Sequence, residues 1–72
     1  MKVTTLAMNL TRARKRAGLS QAALARLVGT RRQNIWFYES ARRQPPSLLL
    51  PDIARALGCS LEELFASEED NV

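Results

Sequence analysis

Apolar residues recur along this chain at three- and four-residue intervals, the spacing that keeps side chains on one face of an α-helix. Leu6, Leu10, Ala13 and Ala17 form the first stripe, which predicts a helix from about Thr5 to Ala17 capped by Thr4 or Thr5 and ended by Gly18. Leu24, Ala25 and Val28 form a second stripe and Ile35 and Tyr38 a third, with Gly29 between them as a left-handed stop. Ser20 is suited to accept from the free amides that open the second helix, and Thr30-Arg31-Arg32-Gln33 reads as a capping box for the third. In Leu48-Leu49-Leu50-Pro51-Asp52-Ile53 the proline is tolerated only in a first turn, so a fourth helix opens there. Ser60-Leu61-Glu62-Glu63 is a complete capping box for a fifth, whose Leu61, Leu64 and Phe65 close the core. Five helical segments and no convincing strand make the predicted class all-α.

Seventy-two residues allow one small core, so any dimerisation matters to stability as well as to function. The pattern divides the chain into a folded domain over residues 1–65 and an acidic, frayed tail over residues 66–72. No apolar run is long enough to cross a bilayer, and the start Met1-Lys2-Val3-Thr4-Thr5-Leu6 lacks the apolar core of a secretion signal. A lone Cys59 forms no internal disulfide and reads as a small buried hydrophobe. The expected location is therefore the cytoplasm.

Charge changes the picture more than composition does. Residues 1–44 carry ten basic side chains against Glu39 alone, a balance of +9, whereas residues 45–72 carry Arg55 against six acids, a balance of −5. Such a split gives the molecule a face that attracts a polyanion and a back that repels it. The outward positions of the third helix hold Arg31, Arg32, Gln33, Asn34, Trp36 and Phe37, a set of hydrogen-bond forks and flat apolar surface of the kind that reads base edges in a DNA major groove. Arg12, Lys15 and Arg16 on the first helix are either a phosphate-facing edge or a solvated face. Glu39, near a helix C-terminus, opposes the helix dipole and needs a cationic partner, for which Arg14 on the first helix is the candidate. There is no His, no glycine-rich phosphate loop and no Cys/His cluster, so neither an enzyme nor a metal or cofactor site is expected.

Leu19-Ser20-Gln21, Leu24-Ala25, Val28-Gly29-Thr30, Ile35, Glu39, Arg42-Arg43 and the run Ile53-Ala54-Arg55-Ala56-Leu57-Gly58-Cys59-Ser60-Leu61-Glu62-Glu63-Leu64-Phe65 resemble the helix-turn-helix family of Cro and the lambdoid phage repressors. The resemblance spans residues 6–65. It implies a five-helix, lambda-repressor-like domain in which helix two braces the DNA backbone and helix three enters the major groove. It further implies a transcriptional regulator, most naturally a repressor, that binds double-stranded DNA as a homodimer on two half-sites, with the dimer surface near the last helix.

By that resemblance Arg31, Arg32, Gln33 and Phe37 take base-reading places. Gln21, Arg42 and Arg43 take the backbone, and Arg14 with Glu39 matches a structural ion pair of the family; from the residues themselves Ser20, Arg12 and Trp36 are assigned to the backbone as well. Read from the residues alone, Gln21 is either a phosphate ligand or an ordinary exposed residue, and Arg32 and Gln33 hold either bases or phosphates. Two departures stand out. Where relatives often have Gly after helix three this chain has Ala41, and positive φ there costs an alanine on the order of 1 kcal/mol, which points to a different helix end. Trp36 and Phe37 replace residues that are usually polar. They either touch DNA, fold back over the core, or form a patch for a protein partner such as a toxin or effector, the last making the chain an antitoxin or adaptor module.

Overall fold

The structure, a computed structural model, describes residues 3–67 and contains five α-helices and no strand among them. They are α1 (Val3–Arg16), α2 (Gln21–Val28), α3 (Arg32–Glu39), α4 (Leu50–Leu57) and α5 (Leu61–Phe65), with a 3-10 turn at Ser47–Leu49 leading into α4. Each helix sends one branched aliphatic side chain to full burial: Leu10, Leu24, Ile35, Ile53 and Leu64. Around these five close Leu6, Ala13, Ala25, Val28, Tyr38, Ala54 and Leu57, so a single core is shared by every element. Burial of each such aliphatic side chain contributes about 1.5–3 kcal/mol, which is how so short a chain holds five helices together.

The first four helices end alike. Gly18, Gly29, Ala41 and Gly58 adopt positive φ, and in each case the next residue donates its N–H to the carbonyl five positions back: Leu19 to Arg14, Thr30 to Ala25, Arg42 to Phe37 and Cys59 to Ala54, all at 2.9–3.1 Å. This left-handed closure satisfies carbonyls that the helix end would otherwise orphan. Ala41, at φ 63°, thus ends α3 as a glycine would, contrary to the expectation of a different stop. The bonds that Arg42 and Ala41 donate to the Phe37 and Tyr38 carbonyls offset the strain of its Cβ.

Several sequence expectations are corrected. α1 begins at Val3, so Thr4 and Thr5 lie inside its first turn and cap nothing. Leu6 and Ala7 are both buried on the inner face of a helix already under way at Val3. Ala17 is exposed because α1 has already ended at Arg16. Thr30 does not cap α3: the helix starts one residue later, with Arg31 in the cap position and no side-chain cap bond, and the Thr30 hydroxyl instead accepts from Asn34 Nδ2 at 2.8 Å. Leu61 stays 40% exposed at the open start of α5, while Leu64 fills the core.

Ser20 and Ser60 cap as expected, accepting from the N–H of Ala23 and Glu63, and Glu63 completes the capping box by accepting from the Ser60 N–H at 3.1 Å. Pro51 sits in the first turn of α4. α5 has only five residues and is pinned by a contact with no sequence signal: Asn9 Nδ2 donates to the carbonyls of Leu64 at 2.8 Å and Ala66 at 2.7 Å. Of the acidic tail, residues 68–72 lie outside the described residues.

Candidate nucleic-acid interface

The site begins with a largely buried ionic joint beneath it. Arg14 on α1 holds Glu39 at the end of α3 through Nε to Oε2 at 2.6 Å and Nη2 to Oε1 at 3.1 Å, and its Nη1 donates to the Leu19 carbonyl at 2.7 Å. Gln21, the first residue of α2, adds its amide Nε2 to Glu39 Oε1 at 3.1 Å. One carboxylate therefore ties α1, α2 and α3 together and fixes the angle at which α3 leaves the body. The expected Arg14–Glu39 pair is present. Gln21 is committed to it through one N–H, and its second amide hydrogen has no partner among the described residues.

On this mount α3 turns Ile35 and Tyr38 inward and leaves Arg31, Arg32, Gln33 and Trp36 exposed. Arg32, Gln33 and Trp36 line one open groove. Positions 32, 33 and 36 fall on one side because a helix advances about 100° per residue. Asn34 and Phe37, read from the sequence as outward, are half-buried instead. Phe37 packs against the core, which takes it out of the exposed row; Trp36, 42% exposed, stands in that row.

Beyond Ala41 the chain folds back. The N–H groups of Arg42 and Arg43 both donate to the Phe37 carbonyl, at 3.0 and 3.3 Å, which sets their side chains beside the last turn of α3. The Arg42 guanidinium lies over the Trp36 ring, 4.8 Å from its centroid, and that of Arg43 over the Phe37 ring at 4.6 Å. The two rings meet edge to face, 5.3 Å apart. Neither guanidinium has a carboxylate partner among the described residues. Sequence reasoning named all four residues but missed their pairing, which depends on the left-handed turn at Ala41.

Arg12 is not brought to this face. It lines, with Asn9, Arg16, Cys59 and Glu63, a cleft between α1 and α5. Two residues along a helix is about 200° of rotation, so Arg12 leaves α1 on nearly the opposite side from Arg14. Cys59 is half-buried in the same region. Burial pushes its thiol above the usual range, Glu63 adds to the effect and Arg16 opposes it. Among the described residues no group of His, Cys, Asp and Glu is placed to hold a metal and no helix is long and apolar enough to cross a membrane.

The sequence pattern of the helix-turn-helix family matches residues 10–64, which include α2, its turn and α3. The chain belongs to the helix-turn-helix family. Within it the likeness is to the Cro and phage-repressor type, whose members are DNA-binding transcription regulators and not enzymes. An uncharacterized helix-turn-helix-type transcriptional regulator of Methanothermobacter thermautotrophicus is 45% identical over 58 residues, covering 79% of this chain and 84% of that protein. A second, from Archaeoglobus fulgidus, is 34% identical over 59 residues and covers 82% and 84%. Among solved structures, the restriction-modification controller protein C.AhdI from Aeromonas hydrophila superposes with a TM-score of 0.83 at 30% identity, over 88% of this chain and 91% of that one. A hypothetical transcription factor from Neisseria gives 0.88 at 27% identity, over 99% and 82%.

Proposed function

We propose that this chain represses transcription by binding a two-fold-symmetric operator as a homodimer, with the exposed N-terminal half of α3 in the major groove. The observation that carries the reading is the row Arg31, Arg32, Gln33 and Trp36, exposed on a helix whose orientation is fixed from behind by the Arg14–Glu39–Gln21 joint. Arg32 forks onto guanine O6 and N7, Gln33 pairs with adenine, and Arg31 touches the groove edge. Ser20, Gln21, Arg42 and Arg43 hold the phosphate backbone on either side and supply most of the affinity. Phe37, half-buried, supports the reading helix and does not touch bases.

The likeness to a restriction-modification controller protein supports a regulatory role, and Leu61, exposed on α5, supports a dimer contact at that end. The competing antitoxin or adaptor reading takes Trp36, Phe37 and the acidic tail as the surface for a protein partner. Those rings carry Arg42 and Arg43, which favours a polyanionic ligand. Footprinting on duplexes selected from a random pool tests the proposal. It predicts two protected segments centred about one helical turn, ~10 base pairs, apart or a multiple of that. A single protected segment contradicts the dimer, and no protection at modest ionic strength contradicts DNA binding altogether.

A further inference from the structure

From the stacking of Arg42 on Trp36 and Arg43 on Phe37 we infer that the two aromatic rings are positioning residues for a paired-arginine phosphate clamp at the C-terminal end of α3. The inference rests on the DNA-binding reading above and adds a role to residues that the helix-turn-helix pattern does not explain. Its geometry is self-consistent. Ala41 at φ 63° turns the chain so that residues 42 and 43 fall back on residues 36 and 37, and both arginine amides are anchored to one carbonyl, that of Phe37. The same six-residue offset occurs twice in succession, placing one guanidinium over each of two rings that meet edge to face.

A guanidinium stacked on a ring keeps its planar N–H edge free, and that edge is the part that forks onto phosphate oxygens. Arginine in an open loop would have to lose side-chain freedom on binding; one already stacked has lost much of it. The rings thereby convert two flexible cations into a preset anion clamp next to the reading row. Phosphate oxygens of the duplex backbone are the ligand such a clamp fits, since it offers forks and charge but no base-specific shape.

Because Trp36 is the only tryptophan in the chain, its emission reports on the stack directly. In the free protein Arg42→Ala should shift the emission maximum to longer wavelength as the ring face opens to water; an unchanged spectrum would overturn the clamp. In titrations with a selected duplex, Trp36→Ala and Arg42→Ala should each weaken binding about fivefold and the double variant only about fivefold to tenfold, because both remove one joint feature. Trp36→Phe should restore most of the affinity and Trp36→Leu should not. Fully multiplicative losses, or a Trp36→Ala loss confined to particular sequences, would show a ring that contacts DNA on its own account and would overturn the positioning role. Should the unaltered protein retard no duplex, the DNA reading fails, and the emission shift still decides whether the stack exists.

Discussion

Arg14 and Glu39 meet through two hydrogen bonds, with side chains only 12% and 6% exposed, and they join the first helix to the end of the third. A pair this deep is held by complementarity more than by net gain, because desolvating two charges offsets much of their attraction. Removing one partner is a different matter. Glu39→Ala leaves the largely buried Arg14 guanidinium with only the Leu19 carbonyl as acceptor and the Gln21 amide with none, and should lower stability by about 3–5 kcal/mol. Replacing both, as Arg14→Leu with Glu39→Leu, should recover part of that loss. Urea titrations followed by circular dichroism measure both. The exposed Asp52–Arg55 pair, at 50% and 78%, serves as the control: Asp52→Asn should cost less than about 1 kcal/mol.

Ala41 offers the opposite prediction. It closes α3 in a conformation that three glycines adopt at the ends of α1, α2 and α4. Ala41→Gly should stabilise the domain by roughly 0.5–1 kcal/mol, the relief of its Cβ strain less the extra freedom glycine gives the unfolded chain. For a domain of this size that raises the melting temperature by about 2–8 °C. A lower melting temperature would mean that the Ala41 turn is not strained.

The pairing of Arg42 with Trp36 also bears on salt. Arg42→Ala should weaken binding to specific and random duplex alike and reduce the slope of log K against log salt by about 0.9, because one phosphate fewer is neutralised. A change confined to one sequence would put Arg42 among the base readers.

Cys59 should behave as a protected thiol. Its folded pKa is raised by burial and by Glu63, so the thiol keeps its proton to higher pH in the folded chain than in the unfolded one. The stability tied to that proton is present below the unfolded thiol pKa of about 8.5 and is lost as pH rises through the folded value. Iodoacetamide should therefore react more slowly with the folded protein than with the urea-unfolded chain at the same mildly alkaline pH. Cys59→Ala should remove the thiol's share of the alkaline loss of stability. Equal alkylation rates in the two states would contradict the protection.

Local features were the ones the sequence made legible. Ser20 and Ser60 cap, Gly18 and Gly29 stop helices, and Pro51 opens one, because each acts through its own backbone geometry. The Arg14–Glu39 pair was readable because an acid at a helix C-terminus asks for a cation. What escaped depends on distant elements. Asn9 reaches carbonyls more than fifty residues away, and no local pattern marks it. Thr30 and Gln33 have the composition of a capping box, but the helix starts one residue later. Which side Arg12 and Arg16 face depends on the packing of α1 against α5, which brings both to one cleft. Trp36 and Phe37 could not be resolved from order alone, since their partners lie beyond a turn that an alanine was not expected to make.

If the exposed start of α3 reads base edges, Arg32 is its sharpest point. Methylation interference on a selected duplex measures this, because methyl groups at guanine N7 occupy the major groove whereas those at adenine N3 occupy the minor. N7 methylation at one guanine in each half-site should block the unaltered protein, and Arg32→Ala should become insensitive to that methyl group while losing about 1–3 kcal/mol of discrimination there. Interference confined to adenine N3, or equal sensitivity of both proteins at every guanine, would contradict base reading by α3.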